Sequence, residues 1–281
     1  SLASLLWAGA AFAEEATPAP APAEEQTPAQ KKGGYSLPWG LRPAIAPNLV
    51  RVDEVIALQK TATTSITGLV AGYKPVTSVP DLGFYVREMF LVNKPKTGTQ
   101  GTGWSNPVLF ALWTPEVTSG VRASLFGGVA LPVGAGGGDT PDKNTRTAVL
   151  SGVYGRSAMD NAMFAMNYLT GTAGADIAWV KDGLTLQAEV TLLQLLRVRG
   201  SAVDVDTART NSTAGVHIGY RVIEWVTLSG EARMQSWLST PDAVKKDASK
   251  REQVTLGAGV RFNIPLTKTL VIRPGISYFY P

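Results

Sequence analysis

The feature that most constrains this chain is an alternation of apolar and polar residues with period two, sustained from about Asn48 onward. In Leu184–Val198, residues Leu184, Leu186, Ala188, Val190 and Leu192 fall on one face and Thr185, Gln187, Glu189 and Thr191 on the other. In Val226–Leu238, residues Val226, Leu228, Ala232, Met234 and Leu238 alternate with Thr227, Ser229, Glu231, Arg233 and Gln235. In Val254–Ile264, residues Val254, Leu256, Ala258, Val260, Phe262 and Ile264 face away from Gln253, Thr255, Arg261 and Asn263. Successive side chains point to opposite faces only in a strand, so these segments are β, not helix. Each runs for about ten residues or more, the length a tilted strand needs to cross a bilayer, where soluble strands average about 5–6. The expected fold is therefore all-β, a transmembrane antiparallel β-barrel.

Alternation alone does not say whether the apolar face packs a core or meets lipid. The order of the links bears on it. Short ones are expected at about Thr114–Gly120, Ser157–Asn161, Lys181–Gly183, Ile223–Glu224 and Pro265–Lys268. Longer polar ones are expected at about Asn93–Ser105, Pro132–Thr145, Gly200–Thr210 and Ser239–Arg251. Short and long links largely alternate, with an exception near Gly171–Gly174, as in barrels with tight periplasmic turns and longer outer loops. Trp104, Trp113, Tyr154, Trp179, Tyr220, Trp225, Trp237 and Tyr278 fall near strand ends, where amphipathic rings suit a membrane interface. The pattern gives about 12–14 strands. A direct count reaches about thirteen, the last near Thr269–Tyr280. Single-chain bacterial barrels have even numbers, so either a further strand lies outside this sequence or the count is off by one.

Residues 1–13 are apolar and end in Ala11-Phe12-Ala13, a small-x-small pattern that reads as the remnant of a signal peptide, with cleavage before Glu14. Residues 14–37 hold Pro18, Pro20, Pro22 and Pro28 among Ala, Glu and Thr, the composition of a disordered periplasmic tail. Residues 38–281 make up the expected barrel. After residue 13 no run of eighteen uncharged apolar residues occurs, so no transmembrane helix is expected.

Few residues suggest chemistry. The chain has no cysteine and one histidine, His217, which argues against a metal site. Gly134–Asp139 is glycine-rich but lacks a Gly-Lys-Ser/Thr ending, and Gly-x-Ser-x-Gly is absent. No enzyme activity and no cofactor are expected. The net charge of +4 comes without a basic run, so nucleic acid is not an expected partner. The one chemical bias is basic. Extending the alternation points Arg122, Arg197, Arg199, Arg221, Arg233, Arg261 and Arg273 into the lumen, with His217 beside them and only Glu189 and Glu231 opposing. Such arginines either form a field that draws anions into a pore or pair with acids and fill a closed barrel.

Three segments carry a resemblance: Pro38-Trp39-Gly40-Leu41-Arg42-Pro43, Leu131-Pro132-Val133-Gly134, and Ile272-Arg273-Pro274-Gly275-Ile276. They resemble the Gram-negative outer-membrane proteins grouped as transporters of the meta-pathway of phenol degradation. The resemblance implies a barrel and small-molecule uptake, and carries no catalytic residues. The expectation is an outer-membrane channel or uptake barrel for small solutes, anionic or aromatic ones being the candidates, with outer-membrane lipid as its surroundings. Two alternatives remain open: a closed barrel acting through its outer loops, and a soluble secreted β-protein. Oligomeric state is not legible.

Overall fold

The computed structural model of the chain describes residues 50–58, 60, 62–73, 79, 81–155, 161–267 and 270–280. The expected signal remnant, the proline-rich tail and Pro38–Pro43 lie outside them. The strands are β1 (Val50–Leu58), β2 (Ala62–Tyr73), β3 (Leu82–Pro95), β4 (Gly101–Trp104), β5 (Val108–Trp113), β6 (Glu116–Thr118), β7 (Val121–Ala130), β8 (Tyr168–Lys181), β9 (Leu184–Arg197), β10 (Ala208–Ile223), β11 (Val226–Trp237), β12 (Glu252–Phe262), β13 (Ile264–Pro265) and β14 (Leu270–Tyr280). The helices are α1 (Lys143–Gly155), α2 (Asn161–Phe164) and α3 (Asp242–Lys246).

The result is a closed β-barrel. Among the described residues eleven strands form the ring, in the order β1-β2-β3-β5-β7-β8-β9-β10-β11-β12-β14, while β4, β6 and β13 extend it at its ends. Neighbours run antiparallel except at the closure, where β1 and β14 pair in parallel from Val50↔Leu270 to Leu58↔Tyr278. This corrects the expectation of an even count. An odd ring closes without a free edge when its first and last strands run the same way, and no further strand is needed between them.

The surplus in the count has a local cause. A link at Ser157–Asn161 presupposes strands on both sides of it, but residues 143–155 form α1 and residues 161–164 form α2. Gly171–Gly174, read as a link, lies inside the continuous strand β8. Thirteen therefore becomes eleven, and the apparent exception in loop order disappears, because among the described residues no strand lies between β7 and β8. In α1 the buried positions are Ala148, Val149, Ser151 and Gly152, a helical face that competes with the β-favouring Thr and Val content of the same stretch. Asp142 starts the helix: its Oδ1 accepts the Thr145 amide at 2.8 Å and its carbonyl accepts that of Arg146 at 3.0 Å. Tyr154 thus belongs to α1 rather than to a strand end.

From β7 onward, long and short connections segregate to opposite ends, while the short link from β1 to β2 lies at the same end as the long ones. Leu131–Asn167, Val198–Thr207 and Leu238–Arg251 share one end, called here the loop end. The other end carries tight turns. At Asp182-Gly183 both residues have positive φ, 48° and 86°, as a two-residue hairpin of matching twist requires. Pro274, which has no N–H to give, sits where β14 passes from pairing β12 at Gly275 to pairing β13 at Ile272.

Inside and outside follow the alternation. Leu186, Val190, Leu192, Val216, Ile218, Leu228, Val254, Leu256 and Ile276 are exposed on the outer surface, whereas Gln187, Thr191, Thr213, His217, Thr227, Arg233, Thr255, Arg261 and Ser277 are buried within. Trp113, Trp179, Tyr220 and Trp225 ring the turn end of the outer surface, and Trp104, Tyr278 and Tyr280 its loop end.

Candidate functional site

The interior has two storeys. At the loop end it is apolar and filled. The wall contributes Ala57, Ile66, Met89, Leu91, Phe110, Leu193, Leu195 and Phe279, and the long connection after β7 contributes Val149, Ala162, Met163, Phe164 and Met166. Full burial of a side chain this size stabilises by about 1.5–3 kcal/mol. A ring of eight strands is about wide enough for its own side chains to fill, so eleven leave space, and α1 with α2 occupy it. Two glycines of β4 admit α1: a side chain at Gly101 would collide with the Asn144 carbonyl, and a Cβ at Gly103 would lie 2.7 Å from Val149 Cγ2. On the β2 wall, Thr64 donates to Ser151 Oγ at 3.3 Å.

This plug is tied to the loops above it by charge. Asp204 is the hub: Arg146 reaches its Oδ2 at 3.2 Å, Asn167 Nδ2 reaches the same oxygen at 2.6 Å, and Arg209 reaches Oδ1 at 3.5 Å. Arg209 also pairs with Asp206 at 3.0 Å and stacks 4.7 Å from the centre of the Tyr168 ring. Here the sequence expectation is corrected. Arg197 and Arg199 do not line the polar lumen. Arg197 donates to the Val205 carbonyl at 3.0 Å. Arg199 lies beyond the end of β9, so strand alternation no longer sets its direction. It donates to the carbonyls of Gly134 (2.7 Å) and Met166 (3.1 Å), and burial lowers its pKa. Both arginines fasten loops.

Below the plug the wall is polar and charged. Arg261 is 1% exposed and Arg273, Arg233 and Arg87 are each 4% exposed, all on the inner face. Arg221 and Arg122 stand on the same face nearer the turns. Arg122 pairs at 3.2 Å with Glu116 of β6. Sequence reading found neither Arg87 nor Asp176, which faces Glu189 directly across β8 and β9. Among the described side chains, six arginines (87, 122, 221, 233, 261 and 273) therefore share the lower lumen with the acids Asp176, Glu189 and Glu231.

His217, Glu231 and Arg233 form a compact unit on β10 and β11. His217 stands opposite Glu231, and its Nδ1 lies 3.2 Å from Glu231 Oε2. Arg233 Nε lies 3.5 Å from the same carboxylate oxygen, and an Arg233 amino group meets His217 Nε2. A guanidinium has no acceptor, so the imidazole nitrogen that Arg233 meets is the accepting one, and the Glu231 carboxylate stands on the other side of the contact. The imidazole thus bridges a buried cation and a buried anion. No metal-holding group of His, Asp and Glu occurs among the described residues.

The wall makes room for these side chains with glycine. Arg233 faces Gly215 and Arg261 faces Gly275, where an added Cβ would press on the arginine stems at 3.1 and 3.4 Å. Phe110, Phe126 and Phe279 lie in the same way over Gly128, Gly174 and Gly257. Each large inner group lies flat against a bare stretch of the neighbouring strand.

No protein-family model matches the chain, and no curated protein matches it. Leu131–Gly134 caps β7, where Gly134 N–H donates to Asn106 Oδ1 at 2.9 Å, and Ile272–Ile276 lies in the closing strand.

Proposed function

We propose that the protein is an outer-membrane barrel that passes small, preferentially anionic solutes, with the helices α1 and α2 as its gate. The observation that carries this reading is the interior itself: a ring wider than its wall side chains would fill, polar and arginine-rich below, stoppered above by a segment borne on a loop. An apolar outer surface with aromatic residues at both ends supports membrane insertion. The arginine excess favours anions, because a charged constriction sorts ions by the sign of its field. The resemblance to phenol-pathway transporters adds aromatic acids as solutes to try. In this reading the loop end faces outward and the tight turns face the periplasm.

Planar-bilayer recordings test it. The intact protein should conduct weakly or in brief openings. A variant with residues 137–163 replaced by a short Gly/Ser linker should conduct steadily and prefer anions. Inserted protein that stays silent in both forms overturns the proposal in favour of a closed barrel. That second reading has its own support in the bridging of Glu231, His217 and Arg233, which fills rather than opens the lumen.

A further inference from the structure

Among the residues whose side chains are described, the outer surface departs from its apolar rule along β2 and β3. On β5 and β7 through β14, the outward positions between the strand ends are Leu109, Ala111, Leu125, Ile177, Leu186, Val190, Val216, Ile218, Leu228, Leu256 and their like, with no acid or base among the described residues. On β3, Glu88 points outward at mid-strand, between exposed Val86 and Phe90. Beside it on β2 the outward positions are Thr63, Ser65 and Thr67, and then Leu69, which stands opposite Glu88. Glu88 has no ion pair or hydrogen bond among the described residues. An acid and a row of hydroxyls here would face hydrocarbon, where an unsatisfied polar group is costly.

We propose that the outer face of β2 and β3 is the contact between two copies of this chain in the membrane, with Glu88 at its centre. The choice of a second copy rests on depth and on complementary chemistry. Copies inserted the same way are related by a two-fold axis along the membrane normal, so each residue meets the other copy at its own depth. With the axis between β2 and β3, β3 of one copy lies against β2 of the other. The Glu88 carboxylate, an acceptor, then has Thr67 as its nearest hydroxyl donor, one outward position along from the Leu69 that shares its register. The described outward faces of β5 and β7 through β14 carry lipid-compatible side chains between their ends and need no such cover.

The inference rests on the membrane reading, and its test separates the two. The chain lacks cysteine, so single-cysteine variants of the full protein report contacts without background. Ser65→Cys and Leu256→Cys proteins are inserted in phosphatidylcholine vesicles, insertion is verified by flotation, and a short thiol cross-linker is added. Ser65→Cys should give a covalent dimer at least ten-fold more efficiently than Leu256→Cys, and Glu88→Leu in the Ser65→Cys background should reduce that yield several-fold. Glu88→Leu puts an apolar group on an apolar surface, so folding is not at stake. Equal cross-linking at both positions, a floated protein that stays monomeric, or a yield indifferent to Glu88→Leu each overturns the proposal. Failure to float would overturn the membrane reading instead.

Discussion

Placing arginine along the outer face of β12 measures what that face touches. Its outward residues include Leu256, Val254 and Glu252, at one, three and five positions from Gly257, the middle of the strand. With a rise of about 3.4 Å per residue and a tilt of about 40°, each residue advances about 2.6 Å along the membrane normal. The three side chains then start about 3, 8 and 13 Å from the midplane of an apolar band about 25 Å tall. Leu256→Arg should cost about 2–4 kcal/mol and Val254→Arg an intermediate amount, because the penalty falls to about 0–1 kcal/mol at the band's edge. Glu252→Arg, at the edge and already charged, should change stability by no more than about 0.5 kcal/mol. The assay is urea-driven equilibrium folding into lipid vesicles, followed by the fluorescence of the seven tryptophans. A cost that does not grade with position, or that is small at all three, would mean that this face meets water, and the barrel would be a soluble one.

Arg233→Met strips the buried His217–Glu231 pair of its cation and should cost about 3–5 kcal/mol, a loss that Arg233→Met with Glu231→Leu partly restores in the same folding assay. Gly103→Leu drives a side chain into Val149 and should loosen α1, seen as a higher open probability in planar bilayers with the wall strands intact by circular dichroism. Asp142 has its pKa lowered from 3.8, chiefly by the Thr145 amide, so the ionised cap contributes fully above that value and its contribution is lost as pH falls through the lower folded value. Hydrogen exchange at the first turn of α1 should therefore quicken as pH drops below 3.8 relative to the Asp142→Asn variant, and equal pH profiles would remove the cap from the account.

The sequence was most legible where one face is wholly apolar. β9 to β12 meet that condition over most of their length, and inward and outward positions there follow from periodicity alone. On β3 both faces carry large apolar groups, Met89 and Leu91 within and Phe90 and Val92 without, so the alternation that would flag Arg87 as an inner residue is erased. Asp176 was missed for a related reason, since the glycines and alanines of β8 leave little contrast between its faces. The plug was illegible because its Thr and Val content favours strands, and only tertiary packing against Gly101, Gly103 and Leu91 makes the helix the better solution. Arg197 and Arg199 were misplaced because alternation ends with the strand, and the loops beyond it recruit side chains by hydrogen bonding rather than by face.

The parallel pairing of β1 with β14 also bears on how the molecule assembles. Most other pairings in the ring join strands adjacent in the chain, so hairpins can form early from local contacts. The clasp between β1 and β14 instead unites the two ends of the described chain, the least local contact it makes, and loop-closure entropy puts such contacts last and makes them slow. Its slanted bonds are slightly weaker per residue than antiparallel ones. Until it forms, an open sheet presents two unsatisfied edges, the surface on which sheets recruit other chains. The nine-residue register from Val50 to Leu58 is thus the step that turns an aggregation-prone ribbon into a finished ring, and mutations there should show first in folding yield.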